Sequence, residues 1–307
     1  MRKPRALSPG DRLAVVAPAS PFTREEFDRG LDEIRRLGFE PVYDGSVFAR
    51  QRYVAGPAEL RAGAIHAAWR DQSIAGLVSA RGGYGSAQVL PLLDCDEARR
   101  ACKPFVGYSD LTSLLTFLTL GCDLVAFHGP MLAGRLGRGG EGYDLDSFVR
   151  ALCRPEPMGE LAPPGLESIR PGEARGPLLG GTLTQLLASL GTPFAFDPPP
   201  GYVLFLDEVG ERPYRLDRMV TQLRQTGLLA RASAVVIGEL PKCDEPSGDP
   251  TARAVMAELL ADFPGPVVIG FPSGHTVTPA MTLPFGVKAR AIGGPQPRLV
   301  IEEAAVG

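Results

Sequence analysis

The chain has 307 residues, 44% of them hydrophobic, which is enough for a large core and for two domains. Its 32 basic and 35 acidic residues leave a net charge of −3 with no Lys/Arg block, which argues against a nucleic-acid partner. The basic start is not followed by an apolar segment of signal-peptide or membrane-spanning length, so the sequence reads as a cytoplasmic protein with no membrane partner.

The first half alternates strand and helix. RLAVVAP (Arg12–Pro18) is a continuous apolar run, as expected of a parallel strand buried on both faces. Thr23 with Glu26 forms a capping box, and Phe27, Leu31, Ile34 and Leu37 then share one helical face that Gly38 ends. A strand near Glu40–Tyr43, a helix near Ala58–Arg70 and the strand IAGLVSA (Ile74–Ala80) follow, the last leading into the loop RGGYG (Arg81–Gly85). FVG and LVAFHGP supply a fourth and a fifth strand, and a helix near Asp144–Cys153 closes this half. The rhythm predicts an α/β fold with a doubly wound parallel sheet.

Residues 154–172, rich in proline and without a period, read as a linker between domains at 1–153 and 173–307. Beyond them come a helix starting near Gly181, the strand YVLFLDE (Tyr202–Glu208) and an amphipathic helix over Pro213–Gly227. AVVIGEL, PVVIGF, VKARAI and PRLVIEE are further strands. Five scattered cysteines (Cys95, Cys102, Cys122, Cys153, Cys243) without a C-x-x-C pair predict reduced thiols, with neither a disulfide nor zinc. No cluster has metal-ligand spacing, and no cofactor motif is complete.

Few residues can carry chemistry. In KPFVGYSDLTSLL (Lys103–Leu115) a short strand turns sharply at Gly107 and Tyr108, and Ser109 stands where a helix begins. It is either an N-cap or a nucleophile beside amides that can stabilise an oxyanion. Three histidines are present. His66 lies within a helix and reads as packing, whereas His128 and His275 both follow strands, at the ends where open sheets place ligands. The residues alone do not separate those two as the general base. Asp207 and Glu208 end a strand on the same kind of lip, as an orienting carboxylate or as a charged turn before a helix. In RGGYG, Gly82 and Gly83 leave amides available as oxyanion donors, and Arg81 and Tyr84 are candidate substrate-binding side chains, Arg81 as a clamp for a carboxylate or as a surface ion pair.

Together, VAPAS, SARGGYGSAQVL, KPFVGYSDLTSLL, FHGP, GPLLGGTLTQL, LFLDEVGERPYRLDRMVTQL, GFPSGHTVT and LPFGVKA, in this order along nearly the whole chain, resemble the LD-carboxypeptidase family of serine peptidases. That family includes murein tetrapeptide carboxypeptidases and microcin C self-immunity peptidases. The resemblance implies a flavodoxin-like N-terminal half with Ser109 on a nucleophile elbow, and a smaller β-rich C-terminal half carrying the acid and the histidine. It implies a serine–acid–histidine triad in which Ser109 is the nucleophile and His275, not His128, is the base. Asp207 stands where the family's catalytic glutamate stands. Glu208 is one residue displaced and so faces the other side of the strand. The oxyanion hole would be built from the amides of Asp110 and of Gly82 or Gly83. The family's G-G-N becomes GGT at Thr182, and an asparagine usual after the histidine is missing from TVTPAMTLPFG; both departures bear on substrate choice. The implied protein is a homodimeric cytoplasmic enzyme without cofactor or metal that removes D-alanine from murein tetrapeptides. An immunity peptidase acting on aminoacyl-nucleotide conjugates, or a non-catalytic murein-peptide binder, are the other readings.

Overall fold

A computed structural model describes residues 1–307. Fourteen strands follow in chain order: β1 (Arg12–Val16), β2 (Glu40–Val42), β3 (Ile74–Ser79), β4 (Phe105–Gly107), β5 (Ala126–His128), β6 (Gly159–Leu161), β7 (Glu167–Arg170), β8 (Gly172–Thr182), β9 (Tyr202–Asp207), β10 (Ala232–Gly238), β11 (Val267–Phe271), β12 (Leu283–Phe285), β13 (Lys288–Gly293) and β14 (Arg298–Ile301). They build two sheets. The first has the order β12-β5-β4-β3-β1-β2, the second β6-β14-β13-β8-β9-β10-β11-β7.

In the first sheet β2, β1, β3, β4 and β5 run parallel, in the 2-1-3-4-5 order of flavodoxin-like folds. Strands β1 and β3–β5 are almost wholly buried, as strands covered on both faces must be. The covering helices include α1 (Arg24–Arg36), α2 (Ala58–Arg70), α3 (Cys95–Ala101), α4 (Thr112–Thr116) and α5 (Leu145–Cys153). Helix α1 opens with the capping box of Thr23 and Glu26 and buries Phe27, Leu31 and Ile34. Asp144 caps α5 by accepting from the Ser147 amide at 2.7 Å.

The second sheet has a parallel centre, β8-β9-β10-β11, flanked by antiparallel strands on both sides. Helices α6 (Leu183–Ala188) and α7 (Pro213–Gln225) pack on its outer face. All six residues of β9 are buried, so the strand places Asp207 in the interior at its carboxyl end. The two bodies meet closely at Gly181, whose φ is +140° and whose Cβ, if present, would lie 2.6 Å from the Thr112 side chain. The Thr182 amide donates to the Thr112 hydroxyl across this junction at 3.0 Å.

Two expectations are corrected. Residues 154–172 carry β6 and β7, which pair with β14 and β11 in the second sheet; they read as a linker because their pairing partners lie far along the chain. The helix expected near Gly181 is α6, which begins at Leu183, directly after β8 ends at Thr182. Cys95 and Cys122 form a disulfide with Cα atoms 5.0 Å apart, so only Cys102, Cys153 and Cys243 are free. The sulfurs, 27 residues apart in sequence, meet because the start of α3 packs against the end of the helix that continues α4.

No helix is long and apolar enough to cross a membrane.

Candidate active site

The site forms at the carboxyl ends of β4, β5 and β9. Strand β4 ends at Gly107, Tyr108 is extended, and Ser109 adopts φ +64°, the left-handed region that serine rarely visits. Such a conformation costs on the order of 1–2 kcal/mol and has to be held by its surroundings. It makes the elbow from which residues 109–111 turn into α4.

Ser109 Oγ lies 3.0 Å from His275 Nε2, and His275 Nδ1 lies 2.6 Å from Asp207 Oδ2. Burial pushes the Asp207 carboxyl up, but the charge and hydrogen bonds of His275, with His128 nearby, hold it down at about 2. An ionised carboxylate only accepts, so Nδ1 carries the proton and Nε2 is free to accept from the Ser109 hydroxyl. Burial alone would lower the His275 pKa; the Asp207 charge and hydrogen bond outweigh it and raise it. The chain of bonds therefore links an oriented base to a hydroxyl, which is what proton removal from serine requires.

Asp207 is held on every side. Its Oδ2 also accepts from the His275 backbone amide at 2.9 Å, and its Oδ1 accepts from the Thr182 hydroxyl at 2.8 Å. Thr182, expected to bear on substrate choice, thus has its hydroxyl on the acid; sequence alone carries no signal for this contact between the end of β8 and that of β9.

His128 is fully buried behind Asp207. Its Nδ1 bonds Ser273 Oγ at 3.0 Å, its Nε2 lies 3.8 Å from Asp207 Oδ1, and its ring packs between Phe205 and Phe285. Burial pushes its pKa down to about 4. Of the two histidines the residues could not separate, only His275 reaches Ser109. Glu208 points away from them: it accepts from the Thr184 amide at 2.8 Å, the Thr184 hydroxyl at 2.7 Å and the Val209 amide at 3.0 Å. His66 bonds Glu97 and the Leu92 carbonyl on the far side of α2.

The loop 81–85 borders Ser109. A methyl group on Gly82 would fall 3.3 Å from Ser109 Oγ. Gly83 has φ +96°, and a Cβ there would lie 2.5 Å from Ser20 Oγ, the group that accepts from the Tyr84 amide at 3.0 Å. The amides of Gly82 and Gly83 donate to no group of the protein. Asp110 contributes more than an amide: its buried carboxylate accepts from the Ser86 amide at 2.8 Å and ties this loop to the elbow. Arg81 is 46% exposed and stands 3.7 Å from Glu26, so its guanidinium lies in an ion pair on the surface. Tyr84 is exposed and packs edge-to-face on Tyr53, a residue the sequence did not point to. The ring of Tyr108 packs against His275, with centroids 5.2 Å apart.

A serine, a histidine and a carboxylate joined in this order, at the sheet ends of an α/β fold, have the arrangement used by hydrolases. The family comparison is narrower. The LD-carboxypeptidase N-terminal domain matches residues 13–129 and the C-terminal domain matches residues 175–291. The chain belongs to the LD-carboxypeptidase family. It is 38% identical to a Streptomyces coelicolor protein whose name assigns it provisionally to the carboxypeptidases, over 94% of this chain and 92% of that one. It is 32% identical to a protein of Bacillus subtilis named a probable murein peptide carboxypeptidase, over 94% and 90%. The crystal structure of a muramoyltetrapeptide carboxypeptidase from Oxalobacter formigenes superposes with a TM-score of 0.83 at 28% identity, covering 95% of this chain and 99% of that one.

Proposed function

We propose that this protein is a serine carboxypeptidase that hydrolyses the bond between an L-configured diamino acid and the terminal D-alanine of murein tetrapeptides. The observation that carries the reading is the hydrogen-bonded chain Ser109–His275–Asp207 in a member of this family. Ser109 attacks the scissile carbonyl while His275 Nε2 takes its proton. The amides of Asp110 and of Gly82 or Gly83 receive the oxyanion. His275 then gives the proton to the leaving D-alanine amine, and water, activated by the same nitrogen, releases the tripeptide. Asp207 holds the tautomer and stabilises the imidazolium throughout. Residues 1–153 supply the nucleophile and residues 173–307 the acid and base, with Tyr84 on the substrate side of the cleft. The setting is the cytoplasm, on imported wall fragments, and the enzyme is a homodimer.

The nucleotide-conjugate reading has less support. The chain's single tryptophan, Trp69, sits on the buried face of α2, only 3% exposed, and offers no face on which a base could stack. A purely binding role would not need a fully connected chain from a strained serine to a buried carboxylate. Incubating the protein with murein tetrapeptide and following the products by mass spectrometry tests the proposal. Tripeptide plus free D-alanine is expected; an unchanged tetrapeptide together with cleavage of an aminoacyl-nucleotide conjugate would overturn it.

A further inference from the structure

Arg135 is only 8% exposed, yet its guanidinium forms no ion pair. It donates instead to four backbone carbonyls. Nη1 reaches the Gly142 and Thr278 oxygens, each at 3.3 Å; Nη2 reaches the Gly274 oxygen at 3.2 Å and that of Thr276. Three of these four acceptors belong to one loop, the loop that carries His275. Taking an unpaired guanidinium out of water is costly, and a cluster of carbonyls repays it only if each is held in the fork's plane.

The arginine and the loop come from different bodies. Arg135 follows β5, and its segment is fixed to the end of β3, where the Leu132 and Ala133 amides donate to Ser79 and Ala80 at 3.0 and 2.8 Å. The loop follows β11 of the second sheet. On its outer side Glu239 holds it, through the Val277 amide at 2.7 Å and the Thr278 hydroxyl, Val277 is 76% exposed, and beyond Thr278 the Ala280 amide and carbonyl bond Gly142 and Asp144 at 3.1 and 3.0 Å. The groups facing His275 are Asp207 from the end of β9, Arg135, and the Ser109 and Tyr108 side chains, with His128 behind Asp207 and the Glu208 charge, turned to the other side of the strand, acting only from a distance.

We infer that Arg135 is a positioning residue for the base: anchored in the body that bears Ser109, it grips the loop of the other body and sets His275 at bonding distance from the serine hydroxyl. The inference rests on the hydrolytic reading of the site. Its positive charge has a second effect, opposing the imidazolium that Asp207 favours.

Two variants separate geometry from charge. Arg135→Lys keeps the charge but concentrates its donors on one nitrogen, which cannot span four carbonyls. D-alanine release should fall about 10- to 100-fold in kcat with KM changed less than about threefold, as expected when reacting groups are displaced by around an ångström. Arg135→Met removes the charge as well, so kcat should fall further. The His275 titration, followed by imidazole NMR in a protein with three histidines, should then move to higher pH. Wild-type kcat in Arg135→Lys, or a loss confined to KM, would overturn the positioning role; an unmoved His275 midpoint in Arg135→Met would overturn the charge effect. If Arg135→Met does not fold, the kcat–KM split of Arg135→Lys decides. A wild-type protein that releases no D-alanine fails the functional reading, and the rate at which a fluorophosphonate labels Ser109, expected to fall about tenfold or more in Arg135→Lys, then decides the role of Arg135.

Discussion

Asp207 reaches His275 twice with the same oxygen. Oδ2 accepts from the ring at 2.6 Å and from the backbone amide of the same residue at 2.9 Å. The shorter acid is thus already in direct contact, and no space is left for a longer one: a Cβ on Gly274 would lie 2.4 Å from that oxygen. Asp207→Glu should overreach and lower kcat by about tenfold or more. Asp207→Asn should be worse, because an amide neither selects the tautomer nor stabilises the imidazolium. Steady-state kinetics on both variants check this; a gain of kcat in Asp207→Glu would contradict it.

Ser109→Ala should abolish D-alanine release, by several orders of magnitude in kcat, while a murein tetrapeptide still binds. Calorimetry of the variant with intact tetrapeptide measures the second part. More than about a tenth of wild-type kcat in the variant would remove Ser109 from the role of nucleophile.

The base works only when neutral, so activity rises with pH through the His275 pKa. Burial opposes charge on His275, but Asp207 raises the pKa above the ordinary value of 6.5. The acid limb of kcat/KM should therefore lie above pH 6.5. Removing the carboxylate in Asp207→Asn leaves burial unopposed and should move the residual activity's limb downward. An upward move in that variant would refute the assignment.

Gly82→Ala tests the loop beside the serine. The new methyl group would lie 3.0 Å from Ser109 Cβ and 3.2 Å from Met131 Cε, tighter than ordinary contact. Relief requires the serine or the loop amides to shift, so labelling of Ser109 by a fluorophosphonate should slow by about tenfold or more. Unchanged labelling would mean that this glycine is not needed at the site.

Glu208→Gln should separate stability from catalysis. Its carboxylate holds Thr184 and the Val209 amide and has no contact with His275. Losing charge-assisted bonds there should lower Tm by about 3 °C and change kcat less than about threefold. A crippled kcat at unchanged Tm would exchange the roles of Asp207 and Glu208.

Much of the first sheet was legible because its signals are local. The apolar runs, the capping box at Thr23 and the turn before Ser109 each depend on neighbours in sequence. The face rule for a strand likewise separates Asp207 from Glu208 without any structure. What could not be read depends on partners distant in sequence. β6 and β7 lie in a proline-rich stretch and become strands only by pairing with β14 and β11. The Thr182 hydroxyl on Asp207, the place of His128 behind the acid and the meeting of Cys95 with Cys122 are tertiary contacts with no periodic trace. Arg135 was invisible for a further reason: its partners are backbone carbonyls, which any sequence supplies.

The strand β12 has a consequence for biosynthesis. Although it follows His275 in sequence, it completes the edge of the first sheet by pairing antiparallel to β5, with Leu283 opposite His128. A nascent chain that has emerged only through residue 153 therefore presents β5 as an open edge and lacks both acid and base. Separating the halves by proteolysis or by gene fission would leave the first sheet one strand short. Translation must run past Phe285 before that sheet can close, and by then His275 has already been made. Growing polypeptides thus lack the complete chain from Ser109 through His275 to Asp207, which can be assembled only as the last edge is sealed.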